Sequence, residues 1–153
     1  MKKIFTFALV ALAALAVLAC SKPAADTEKE EEKKEEAPAY PTDYASYTEV
    51  SAWGVTGSIA STGTDWGQTA EDKDLVMKTN GTWHVITGVV LTTTDQFKFR
   101  KDNAWAENLG GDCAEAGKLF DLTKDGANIK VPADGTYTLL LNTEDSKAVV
   151  IAE

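Results

Sequence analysis

From about residue 49 onward, apolar and polar positions recur with a period of two rather than the 3.6 of a helix. Val50 to Ile59 is apolar-rich, carries glycine and small residues, and predicts a first strand. Leu75-Val76-Met77 runs through Lys78-Thr79 into Asn80-Gly81. Thr82 to Thr87 follows, and Val89-Val90-Leu91 extends it. Asn-Gly between two apolar segments is a strong hairpin signal, because both central residues of a type I′ turn must accept φ > 0. Gln96 to Lys101 alternates cleanly, with Phe97 and Phe99 on one face and Lys98 and Arg100 on the other. Ala127 to Val131 predicts another strand with Ile129 and Val131 on one face. Gly110-Gly111-Asp112 and Pro132 to Gly135 read as turns. Thr136 to Leu141 and Lys147 to Ile151 read as a terminal hairpin. No ten-residue stretch has helical amphipathicity. Seven or eight short strands separated by Gly, Asn and Asp turns predict an all-β fold, an antiparallel β-sandwich.

The N-terminal part follows another pattern. Lys2 and Lys3 precede an apolar run from Ile4 to Ala19 that ends at Cys20. The run has the length of a secretory signal core and is short for a membrane span. Val17-Leu18-Ala19-Cys20 resembles a bacterial lipobox, which makes residues 1–19 a signal peptide and Cys20 the lipidated first residue of the mature chain. Residues 20–48 are rich in Glu, Lys, Ala and Pro and poor in aliphatic residues, the composition of a solvated acidic tether. The charged stretch behind the cysteine resembles surface-export signals of Bacteroidota lipoproteins. Residues 49–153 remain, enough for one small domain with one core. Cys113 is the second of two cysteines. With Cys20 lipidated it has no intrachain partner, and is either a buried inert thiol or an exposed odd one.

Charge and chemistry narrow the function. The chain carries a formal charge of −9, and loss of Lys2 and Lys3 with the signal makes it more acidic still. That balance argues against nucleic acid and anionic headgroups as partners and suits neutral ligands. His84, the single histidine, is expected on the solvent face of a strand. No spaced acid/base pair, metal-ligand cluster, nucleophile elbow or phosphate loop is evident, so catalysis has no support and neither cofactor nor metal is expected. The four tryptophans say more. Trp53 and Trp83 lie in strand patterns and are expected in the core. Trp66 lies in the polar run Ser61 to Gln68, and Trp105 follows the Phe97 strand among Asp102, Asn103, Glu107 and Asn108. Each is expected in a loop, either as a lid on one end of the sandwich or as a ligand platform. A flat indole stacks on the C–H face of a sugar while neighbouring amides and ammonium groups bond its hydroxyls.

The ordered set of features resembles a known pattern. A Gly-Ser strand end is followed by a loop with Trp66, then Met77, then Trp83, then Phe97-Lys98-Phe99. Trp105, Asn108-Leu109-Gly110-Gly111, Gly126 to Val131 and Gly135-Thr136-Tyr137 complete it. This is similar to the starch-binding modules of the SusE/SusF outer-membrane lipoproteins of Bacteroidota and, more distantly, to the glycogen-binding modules of the AMP-activated kinase β subunit and of starch-branching enzymes. The resemblance spans about residues 52 to 153. It implies an immunoglobulin-like sandwich that binds α-1,4-glucan without hydrolysing it. It implies two aromatic platforms, Trp66 and Trp105, with Lys98 and Asn128 bonding sugar hydroxyls. Arg100 is a further candidate contact from the same face as Lys98, and Asn103 and Asn108 are weaker ones. The expected setting is the outer-membrane surface, held by the lipid, among other glycan-uptake proteins. The alternative from the same residues is a structural or interaction lipoprotein, with the aromatic loops as a protein interface.

Overall fold

The computed structural model describes residues 39–153. The expected signal peptide, Cys20 and most of the acidic segment lie outside the described residues. Nine strands follow in order: β1 (Glu49–Ile59), β2 (Thr64–Asp65), β3 (Leu75–Thr79), β4 (Trp83–Leu91), β5 (Gln96–Lys101), β6 (Ala104–Gly111), β7 (Leu119–Lys124), β8 (Gly135–Asn142) and β9 (Lys147–Ala152). Every pairing is antiparallel. The all-β expectation holds, but the ladder does not stop at two separate sheets. It runs β1-β3-β4-β8-β9-β7-β6-β5, and β5 pairs back to β1, so eight strands close a ring. β1 makes this possible because it pairs along one edge with β3 and along the other with β5, from Trp53↔Lys101 to Ser58↔Gln96. Closure leaves no unpaired edge in the ring. The two-residue β2 is a side hook on the end of β1.

Inside the ring, alternate residues pack together: Val55, Met77, Leu91, Phe97, Phe99, Leu139, Leu141 and Val150 are buried in one cluster. Phe97 and Phe99 meet edge-to-face at 5.8 Å. Each such side chain contributes about 1.5–3 kcal/mol of burial. Cys113 belongs to this cluster and is buried. Burial pushes its thiol up to about 11, which makes it an inert packing group.

A second cluster lies on the outer face. Val85, Leu140 and Val149 point away from the interior and are covered by Tyr47, with Tyr40, Tyr44 and Trp83 around it. This explains why Leu139-Leu140-Leu141 and Ala148-Val149-Val150 are continuous apolar runs: both faces of these strands are covered. Tyr40 donates its hydroxyl hydrogen to the Gly117 carbonyl at 3.0 Å. The tether boundary at residue 48 is therefore corrected. The folded unit already includes Tyr40, because three tyrosines spaced through a polar segment supply the apolar surface that its aliphatic-poor composition concealed.

Other expectations change as well. Asn80-Gly81 does join two paired strands, but Thr79 faces His84, so the connection is longer than two residues. Of the pair only Gly81 has positive φ, at 108°, and the Asn80 side chain instead accepts the Trp83 N–H at 3.1 Å. Two consecutive positive-φ residues occur at Asp102-Asn103, between β5 and β6. Ala127 to Val131 is not a strand; only Ile129 bridges to Phe97. β6 and β7, for which no strand is expected from the sequence, supply the ladder between β5 and β9. Gly110 and Gly111 lie in β6 rather than a turn, and a side chain at Gly110 would collide with the Ala127 carbonyl. His84 is buried rather than solvent-facing. Its Nδ1 pairs with Ser51 Oγ at 2.8 Å, and that oxygen accepts the Trp53 N–H at 2.8 Å. Burial lowers the His84 pKa, which favours the neutral ring.

Candidate ligand-binding site

The outer face of β5 carries Gln96, Lys98 and Arg100, two residues apart, as the period of the Phe97/Phe99 strand requires. β1 lies on one side of this row and β6 on the other. Two aromatic side chains reach over it from these flanks. Trp105 is the second residue of β6, placed there by the tight Asp102-Asn103 turn, and not a loop residue as expected. It is among the most exposed large apolar side chains, at 44%. Trp66 comes from the turn after β2, which the Gln68 N–H closes onto the Asp65 carbonyl at 3.2 Å.

The Trp66 turn is strained and firmly held. Trp66 and Gly67 have φ of 60° and 68°. A left-handed conformation at a bulky residue costs roughly 1–3 kcal/mol and persists only where the surroundings over-determine it. One oxygen of Asp72 supplies that restraint. It accepts the N–H groups of Asp65 at 2.9 Å, Gly67 at 2.6 Å and Gln68 at 3.2 Å. Such charge-assisted bonds are stronger than neutral ones. Asp72 is not legible in the sequence, since a carboxylate in the polar run Glu71 to Asp74 carries no local mark of what it will bind.

The rings of Trp66 and Trp105 lie with centroids 6.1 Å apart and planes inclined by 33°. Together with Lys98 and Asn128 they line one concavity of about 230 Å³. Four of the five site residues expected from the sequence thus meet in one place. Lys98 Nζ donates to Asn108 Oδ1 at 3.2 Å. The amide of buried Asn108 donates to Asp125 at 2.6 Å and to the Trp105 carbonyl at 3.0 Å. Asn108 therefore holds the ammonium and the strand carrying Trp105, and lies beneath the surface. Asn128 is exposed and donates to Gln96 Oε1 at 3.1 Å, which leaves its own carbonyl and the Gln96 amide hydrogens for a ligand. Gln96 is a polar site neighbour that its place in the strand pattern does not mark.

Arg100 and Asn103 sit elsewhere than expected. Arg100 is only 3% exposed. Its Nε and Nη2 form a fork on Asp74 at 2.8 and 2.6 Å, and its guanidinium carbon lies 4.8 Å from the Trp105 ring centroid. It lies under the aromatic pair, so the candidate direct contact from Arg100 is corrected. Strand alternation put it on the outer face, but the Trp66 turn and the Asp74 segment cover it there. The Asn103 side chain accepts the Asp74 N–H at 3.2 Å, so it serves the same substructure.

A second hollow of about 230 Å³ lies beside Tyr44 and Tyr47, but Tyr47 is 6% exposed and meets Tyr44 at 83°, which offers no pair of open ring faces. Among the described residues no group of three or more His, Cys, Asp or Glu side chains is placed to hold a metal. The Trp66/Trp105 concavity is suited to a neutral, flat-faced, hydroxyl-rich ligand: two indole faces for C–H surface, one ammonium and two carboxamides for hydroxyls. No protein-family model matches the chain, and no curated protein matches it.

Proposed function

We propose that this domain is a non-catalytic carbohydrate-binding module that captures starch-like α-glucan. The observation that carries the proposal is the convergence of Trp66, Lys98, Trp105 and Asn128, spread over more than sixty positions of the sequence, on one open concavity. The inclined rings suit a curved chain of sugars better than a flat one. Stacking on the two indoles supplies most of the affinity, and Lys98 and Asn128, with Gln96, orient hydroxyls. A site this small binds weakly, roughly in the micromolar to millimolar range. A lipid anchor at Cys20 on the outer-membrane surface, beside other glycan-uptake proteins, raises effective concentration instead. The same proposal takes the closed ring as a flattened immunoglobulin-like sandwich, with β1 shared between its two layers.

The competing reading is an interaction lipoprotein with the aromatic pair as a protein hot spot. Burial of Arg100 speaks against it, since the arginine that would complete such a hot spot is occupied by Asp74. Calorimetry with maltoheptaose decides. Wild-type protein is expected to bind, and Trp66→Ala and Trp105→Ala to lose binding. An absence of heat with every α-glucan oligosaccharide refutes the glucan reading. Binding that survives both substitutions refutes the site.

A further inference from the structure

Arg100 has almost no exposed surface to offer a ligand, yet it meets three neighbours in the substructure that carries the two indoles: Asp74, Trp105 and Gly67. One edge of its guanidinium is taken by Asp74, with both side chains about 95% buried. Its guanidinium carbon lies over the Trp105 ring, 4.8 Å from the centroid. Its Nη2 end abuts Gly67, the residue after Trp66: a Cβ there would collide with Nη2 and lie 2.9 Å from Nη1. Asp74 is in turn joined by its N–H to Asn103, in the turn that launches Trp105, and stands two residues from Asp72, which holds the Trp66 turn.

We infer that Arg100 is a positioning residue that locks Trp66 and Trp105 into one rigid aromatic unit, with Asp74 fixing the plane of its guanidinium. A fork is needed because three neighbours are met at once: the Asp74 carboxylate, the Trp105 ring and the Gly67 position. A lysine meets Asp74 as a point charge but supplies neither a plane for Trp105 nor a filled space beside Gly67. Gly67 is correspondingly restricted, by its positive φ and by this contact together. A buried ion pair is a poor source of stability compared with apolar packing, so a role in setting geometry accounts better for its presence here.

The inference rests on the proposed glycan site only for its effect on affinity; the ring geometry is tested separately. Two indoles at 6.1 Å and 33° are expected to give an exciton couplet in circular dichroism, to be assigned by its loss in Trp66→Phe and in Trp105→Phe. Arg100→Lys is expected to abolish or invert that couplet and weaken maltoheptaose binding at least tenfold, while thermal unfolding stays cooperative. Retention of both the couplet and the affinity in Arg100→Lys overturns the inference. If Arg100→Lys does not fold, the double variant Arg100→Met with Asp74→Leu removes both charges together, and the same two readouts apply to it. If wild-type protein binds no glucan, the glycan reading falls, and the couplet alone still decides whether Arg100 couples the rings.

Discussion

The outer surface of the ring carries two aromatic clusters, and their difference shows what separates the proposed binding platform from a structural cover. One is Tyr40, Tyr44 and Tyr47 over β4, β8 and β9; the other is Trp66 and Trp105 over β5. β5 and β8 stand halfway round the ring from each other. Beneath the tyrosines lie Val85, Leu140 and Val149, an apolar floor that rewards close contact, so Tyr47 is pressed to 6% exposure. Beneath the tryptophans lie Arg100, Lys98 and Asn108, each already bonded to a polar partner. A floor of this kind supports rings without drawing them in, and Trp105 keeps 44% of its surface. The same class of side chain becomes core or platform according to the face it lands on.

Substitution separates the two clusters. Tyr47→Ala removes a buried aromatic and is expected to cost about 3–5 kcal/mol of unfolding free energy in denaturant titration, with glucan affinity unchanged wherever the protein is folded. A loss of affinity at full folding would mean that the faces are coupled. Trp105→Ala should do the reverse, costing about 2 kcal/mol of binding free energy, near thirtyfold, with little change in the urea midpoint. A large midpoint shift would class Trp105 with the tyrosines. Asp72→Asn weakens the carboxylate that receives three backbone N–H groups, and about a fivefold loss of affinity is expected as Trp66 becomes mobile. Unchanged affinity together with an unchanged Trp66 emission spectrum would show that the turn does not depend on Asp72.

The smallest effect concerns pH and belongs to neither cluster. Burial lowers the His84 pKa below its ordinary value near 6.5, so between that value and the lower folded one the unfolded chain holds the extra proton. Stability from this group is present above about pH 6.5 and is lost as pH falls toward the folded value. His84→Gln should flatten the decline measured between pH 7 and pH 5, and an equal decline in the variant would assign it to other groups.

Local pattern was readable where one face was buried and the other wet. Gln96 to Lys101 shows this: its alternation gave the strand limits, the inward Phe97 and Phe99, and the outward Lys98. β6 was not readable, because Ala104 to Gly111 is exposed along its first half and ends in two glycines whose purpose is close backbone approach. The tyrosine cover was hidden because its residues belong to a segment that pairs with no strand. Trp66, Lys98, Trp105 and Asn128 were legible through their order along the chain, whereas Asp72, Asp74 and Gln96 had no such mark.

By itself, then, the sequence determined the β class, most strand positions and which side chains carry ring faces, ammonium and amide groups. These follow from side-chain period and chemistry, which are local. Closure of the ring, burial of His84 and the descent of Arg100 beneath the aromatic pair were decided only by tertiary structure. Each depends on which distant segment covers a face, and a period of two says which way a side chain points but not what waits there.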